Sequence, residues 1–103
     1  MALLHINALD QFNALIHSEA KVIVDFYAVW CGPCKMIAPF FEEQAAKNPE
    51  IKFVKVDVDQ AMDICRQYKI RAMPTFILIK NGEVAQSFTG ASKDMLLQMI
   101  QSA

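Results

Sequence analysis

Apolar residues along this chain switch between two rhythms. Leu9, Phe12, Leu15 and Ile16 recur at three- and four-residue intervals, which places them on one face of a helix. Asn7 reads as the cap of that helix, with Asp10 three residues on, and Leu3 to Ile6 form a short strand before it. KVIVDFYA, Lys21 to Ala28, is nearly continuously apolar and rich in β-formers, the pattern of a central strand covered on both faces. Helical rhythm returns from Pro33 to about Lys47. Within it Pro39 has no N–H for the Lys35 carbonyl, so a kink is expected there. Ile51 to Val58 is a second apolar strand, and Asp59 to Tyr68 a short helix with Ala61, Ile64, Cys65 and Tyr68 on one face. Thr75 to Ile79 and Val84 to Thr89 flank Asn81-Gly82, a strong hairpin signal. Ser92 then caps a last helix whose core side is Met95, Leu96, Met99 and Ile100.

The order β-α-β-α-β-α-β-β-α implies parallel strands with helices on both faces, the hairpin adding an antiparallel edge. The expected architecture is a three-layer α/β sandwich, and 103 residues make residues 1–103 a single domain with a real core. Hydrophobic residues are 54% of the chain and charged ones 20%, as in a globular protein. A net charge of −1 with both signs interspersed argues against nucleic acid or an anionic membrane as the main partner. Asp25 interrupts the longest apolar run, so no membrane span is expected. MALLHINALD lacks the basic and apolar regions of a secretory signal, which points to the cytoplasm, although a form stripped of its leader would share this feature.

Three cysteines are too few for a disulfide-stapled scaffold. Two of them, Cys31 and Cys34, are separated only by Gly32 and Pro33 at the seam between strand and helix. Pro33 suits the first helical turn, where a missing N–H costs nothing, and this puts Cys31 at the helix mouth. Unpaired N–H groups and the helix dipole there favour a thiolate, so Cys31 should ionise more readily than a free cysteine at about 8.5. Lys35 adds positive charge. Cys34 lies one turn further in, roughly 5–5.5 Å away between Cα atoms, a spacing that suits a disulfide. A zinc site would need four ligands, and only Cys65, His5 and His17 remain, none in a second paired motif. Haem attachment would require His where Lys35 stands. A structural disulfide gains little from so short a loop. Redox chemistry is the expectation.

The stretch WCGPC, Trp30 to Cys34, resembles the active-site motif of the thioredoxin family. Asp25 six residues before the first cysteine, Lys55, Met73-Pro74-Thr75 ahead of a strand, Asn81-Gly82 and Gly90 extend the likeness over essentially the whole chain. The resemblance implies a thioredoxin fold with a central mixed five-stranded sheet and four helices. It also implies reduction of protein disulfides by dithiol–disulfide exchange, with Cys31 as nucleophile, Cys34 as resolving thiol and a Cys31–Cys34 disulfide in the oxidised state. Two departures from the usual pattern are Tyr27, where relatives often carry tryptophan, and Val29, where they usually carry a polar residue or proline.

Other residues admit a plainer and a sharper reading. Asp25, in a buried strand, is either an outward-facing residue at a bulge or a desolvated carboxyl with a raised pKa, the general base for Cys34. The resemblance favours the base and suggests Lys55 as its electrostatic neighbour; a solvated strand lysine is the alternative. Pro74 could simply open a strand. By the resemblance its bond to Met73 is cis and it lies against the cysteines, with the Met73 backbone pairing to substrate. Trp30 could be core, but beside reactive thiols it suits a flat apolar contact surface with Gly32, Pro33, Met73, Pro74 and Gly90. Gly90 alone reads as a turn. Cys65 reads as a small buried hydrophobe, with a regulatory thiol as the alternative.

Gly32 and Pro33 set the redox direction. Pro33 offers the thiolate neither N–H nor charge, so the dithiol is less stabilised and a better reductant. A disulfide isomerase-type domain and a thioredoxin-like binding module are the rival functions. The chain has no nucleotide fingerprint, so no bound cofactor is expected. The resemblance implies electrons from NADPH through a flavin-dependent thioredoxin reductase. It further implies a monomer acting on client proteins such as peroxiredoxins or ribonucleotide reductase.

Overall fold

β2 (Lys21–Tyr27) is the structural axis, because Val22 to Phe26 are all buried and leave no face to solvent. In the computed structural model, which describes residues 3–103, it is preceded by β1 (Leu3–His5) and α1 (Leu9–Ser18). It is followed by α2 (Gly32–Lys47), β3 (Lys52–Asp57), α3 (Met62–Gln67), β4 (Thr75–Lys80), β5 (Glu83–Thr89) and α4 (Lys93–Gln101). The sheet order is β1-β3-β2-β4-β5. β1, β3 and β2 run parallel, whereas β4 is antiparallel to β2 and β5 to β4, so the hairpin contributes two strands of a mixed sheet.

Alternation along β2 divides the core. Val22, Val24 and Phe26 pack with Phe12 and Ile16 of α1 and Ile64 of α3. Ile23 faces the other way, with Phe53, Phe76 and Leu78 of the neighbouring strands, under Ile37 and Phe41 of α2 and Leu96 and Met99 of α4. Each fully buried Phe or Leu contributes about 1.5–3 kcal/mol of hydrophobic burial. The three layers follow from this.

At the hairpin, Asn81 (φ 53°) and Gly82 (φ 84°) both adopt the left-handed conformation that such a tight turn requires. A Cβ on Gly82 would also stand 2.8 Å from the His17 ring, which is exposed and would have to turn aside. Ser92 Oγ accepts the Met95 N–H at 3.1 Å and caps α4.

Three expectations are corrected. The N-cap of α1 is Ala8, with no side-chain cap; Asn7 instead donates from Nδ2 to Gln60 Oε1 at 2.7 Å. α3 begins at Met62 rather than Asp59, because Asp57 claims the intervening backbone. Its carboxylate accepts the Asp59 N–H (2.9 Å) and its carbonyl those of Gln60 and Ala61 (3.1 and 2.9 Å), closing a turn first. Met95 is 45% exposed, since the contact stripe of α4 is only as wide as Leu96, Met99 and Ile100. α2 runs unbroken through Pro39.

Candidate active site

Cys31 has extended backbone (φ −87°, ψ 113°) and is the N-cap of α2, with Pro33 in the first turn. Its Sγ accepts the Cys34 N–H at 3.2 Å, the position a capping oxygen takes in other helices. Cys31 and Cys34 are joined as a disulfide with Cα atoms 5.3 Å apart. Both are buried, so neighbouring side chains govern approach to the sulfurs; Gly32 and Pro33 are exposed.

The chain before β4 closes over this mouth. The Met73–Pro74 peptide is cis, and the Met73 carbonyl oxygen lies 3.7 Å from Cys31 Sγ. Thr75 Oγ1 donates to the Ala72 carbonyl at 2.6 Å, and the Gly90 N–H to the Pro74 carbonyl at 2.9 Å. Gly90 has φ 109°, a conformation that side chains oppose, so its hold on Pro74 depends on its being glycine. Met73 is thereby brought to the thiols and Gly90 to Pro74, which is buried.

Trp30 is 65% exposed beside the pair and donates from Nε1 to Asp59 Oδ2 at 2.8 Å. No local signal in the sequence joins Trp30 to Asp59, because the two are 29 residues apart. Val29 in the same loop and Met36 in the second turn of α2 are also exposed, extending apolar surface around the cysteines.

Asp25 is fully buried, and neither carboxyl oxygen has a hydrogen-bond partner. It alternates with Ile23, so it lies on the sheet face covered by α2, whose inward residues begin with Cys34, Ile37 and Phe41. Phe76 stands opposite on β4 and Lys55 on β3. Burial pushes the Asp25 carboxyl up to about 7, with Lys55 pulling the other way and losing. Lys55 holds its ammonium 4.3 Å from the centre of the Tyr27 ring. A hollow of about 230 Å³ is lined by Tyr27, Cys34, Lys35 and Lys55.

Cys65 is not part of this group. It is half-buried against the core on the α1/α3 side, and burial, then Asp57 and Asp59, push its thiol up, away from reactivity.

The Thioredoxin family model matches residues 4–102. Thioredoxin-1 of Caenorhabditis elegans is 49% identical over 93 residues, covering 88% of this chain and 81% of the worm protein. Thioredoxin of the fungus Coprinus comatus is 45% identical over 100 residues, 95% and 94% of the two chains. Among solved structures, a cysteine-to-serine mutant of Entamoeba histolytica thioredoxin superposes with a TM-score of 0.94 at 53% identity, covering 98% of this chain and 99% of that one. Oxidised mitochondrial thioredoxin 3 of Saccharomyces cerevisiae gives 0.94 at 37% identity over 99% and 96%. With the Cys31–Cys34 disulfide at the mouth of α2, the chain belongs to the thioredoxin family and is a thiol-disulfide oxidoreductase that acts on protein disulfides.

Proposed function

We propose that this protein is a cytoplasmic, monomeric protein-disulfide reductase recycled by a flavin-dependent thioredoxin reductase that draws on NADPH. It carries electrons from that reductase to client disulfides without a cofactor of its own. The observation that bears most weight is the Cys31 sulfur acting as the N-terminal cap of α2, with the Cys34 N–H 3.2 Å away. An N–H aimed at sulfur, with the helix dipole behind it, stabilises charge on Cys31.

In the reduced protein the Cys31 thiolate attacks one sulfur of a client disulfide. A mixed disulfide forms and the other client sulfur leaves as a thiolate that takes up a proton. Cys34 then loses its proton to Asp25, whose pKa near 7 suits acceptance at neutral pH. The Cys34 thiolate attacks Cys31, forming the intramolecular disulfide and releasing the reduced client. The hollow beside Cys34 and Lys55 gives solvent a route toward this proton transfer. Lys55 moderates the rise in the Asp25 pKa.

Trp30, Met73 and Gly90 form the surface on which clients dock, the Met73 backbone, joined by a cis bond to the buried Pro74, pairing with an extended client segment. Clients of this kind include peroxiredoxins and ribonucleotide reductase. Gly32 and Pro33 keep the couple reducing, because Pro33 contributes neither a donor nor a charge to the thiolate. The test is insulin-disulfide reduction with NADPH and a thioredoxin reductase. NADPH should be consumed only when both proteins are present. Consumption that is independent of this protein, or unchanged by Cys31→Ser, would overturn the reading.

A further inference from the structure

A groove of about 500 Å³ adjoins the thiol site and shares Met73 with it. Val58 and Ile70 give it apolar walls, and Arg66, Lys69 and Arg71 line it with three of the chain's ten basic residues. No carboxylate lines it. Arg66 contacts Asp63 at 3.5 Å, but both side chains are at least 70% exposed, and such a pair holds little energy. Among the described residues, neither Lys69 nor Arg71 makes an ion pair. A chain with net charge −1 thus gathers three cations at one edge of its reactive centre, with Asp57 and Asp59 close enough to act on the Cys65 wall of the groove.

The groove is placed to read what flanks a client's cysteine. Met73 contacts Cys31 with its carbonyl oxygen, so a client chain bonded to Cys31 and lying along Met73 continues into the groove. An extended chain advances about 3.3 Å per residue, so residues about two to four positions from the reacting cysteine reach it. Three cations around an apolar channel complement carboxylates there and repel lysine or arginine.

We propose that this groove selects clients by binding an acidic segment next to their reactive cysteine, with Arg66, Lys69 and Arg71 as specificity-determining residues. The proposal rests on the disulfide-reductase reading above. In each turnover the Cys31–Cys34 bond forms, the client S–S bond breaks, and two electrons and two protons pass to the client.

The test uses three peptides that each contain one disulfide and differ only at positions two to four from a cysteine, which carry Glu, Gln or Lys. Pre-reduced protein is mixed with each, and single-turnover rates are followed by Trp30 fluorescence. Wild type should reduce the Glu peptide about tenfold faster than the Lys peptide, as three modest surface pairings allow. Arg66→Gln/Lys69→Gln/Arg71→Gln should shrink that ratio to about twofold or less, as should raising salt to about 0.5 M. The rate for the Gln peptide should hold in both proteins. The three side chains are exposed, so the variant should keep its fold; Lys69→Gln alone, losing about a third of the preference on a logarithmic scale, provides a second check. Equal rates for the Glu and Lys peptides in wild type, or a preference that survives the substitutions, would overturn the groove assignment. Failure to reduce even the Gln peptide would instead overturn the reductase reading, and the groove with it.

Discussion

The two faces of the central sheet are built from the same strands but tolerate different things. Under α1 and α3, Phe12, Ile16, Val22, Val24, Phe26 and Ile64 leave no room for a charge. Phe12 meets Tyr68 edge to face, with ring centres 5.5 Å apart. Under α2 and α4 the packing is as apolar around Ile23, Phe41, Phe53 and Phe76, yet this face also holds Asp25 with both oxygens unpartnered. A buried polar group without a partner is costly. One face supplies stability, and the other gives up part of its own where α2 presents the cysteines.

Substituting the cysteines should have the largest effect and confine it to one face. Cys31→Ser should abolish turnover without unfolding the protein, while Cys34→Ser should accumulate mixed disulfides with client proteins, detected on non-reducing gels. Normal turnover by Cys34→Ser, or trapping by Cys31→Ser, would reverse the assignment of nucleophile.

Phe12→Ala attacks the opposite face. It should cost about 3–5 kcal/mol in denaturant unfolding, as large-to-small core changes do. The rate of insulin reduction per folded molecule should stay within about twofold of wild type. A loss of rate much larger than the loss of folded protein would mean that the faces are not separable.

Asp25 tests the comparison directly. Its folded pKa of about 7 exceeds the ordinary 3.8, so the native state keeps a proton that the unfolded chain has already lost. Stability from this group is therefore full below about 4, falls as pH rises to about 7, and then levels. The interval corresponds to roughly 4 kcal/mol. Asp25→Asn should remove that decline and be the more stable protein at pH 8. It should also slow release of the mixed disulfide about tenfold or more, since it removes the base. Unfolding of the oxidised proteins from pH 4 to 9 decides the matter, because the paired cysteines do not titrate. Parallel curves for the two would make Asp25 an ordinary carboxylate.

Pro33→His should have the smallest effect. A donor and a partial charge near the Cys31 thiolate should raise the reduction potential by about 30 mV, equivalent to about 1.4 kcal/mol for two electrons. Equilibration with glutathione buffers measures it, and an unchanged or lower potential would count against Pro33 as the source of reducing power.

Signals confined to a few neighbouring residues were legible in the chain. The hydrophobic rhythm marks four helices and five strands. Pro33 places Cys31 at a helix mouth, Ser92 caps α4, and Asn81-Gly82 closes the hairpin. Each depends on contacts within about four positions, where the allowed backbone shapes are few. The misses are of another kind. Asn7 turns from the helix it precedes toward Gln60, and Asp57 delays α3 by binding backbone N–H groups two to four residues on. Met95 repeats with the apolar spacing yet faces outward, because the width of a buried stripe is set by what lies across from it.

Tertiary structure alone decided which distant groups meet. Asp25 stands opposite Lys55 because β2 pairs with β3 in one register, and a slip of one residue would turn its carboxyl to the α1/α3 face. Trp30 finds Asp59 across 29 residues, and Arg66, Lys69 and Arg71 share a groove with Met73 only through the path of the chain from α3 to β4. The sequence by itself establishes which side of each element is apolar and where the thiols sit on α2. It does not establish which partner covers that side, because that follows from the simultaneous packing of all the layers and not from any local spacing.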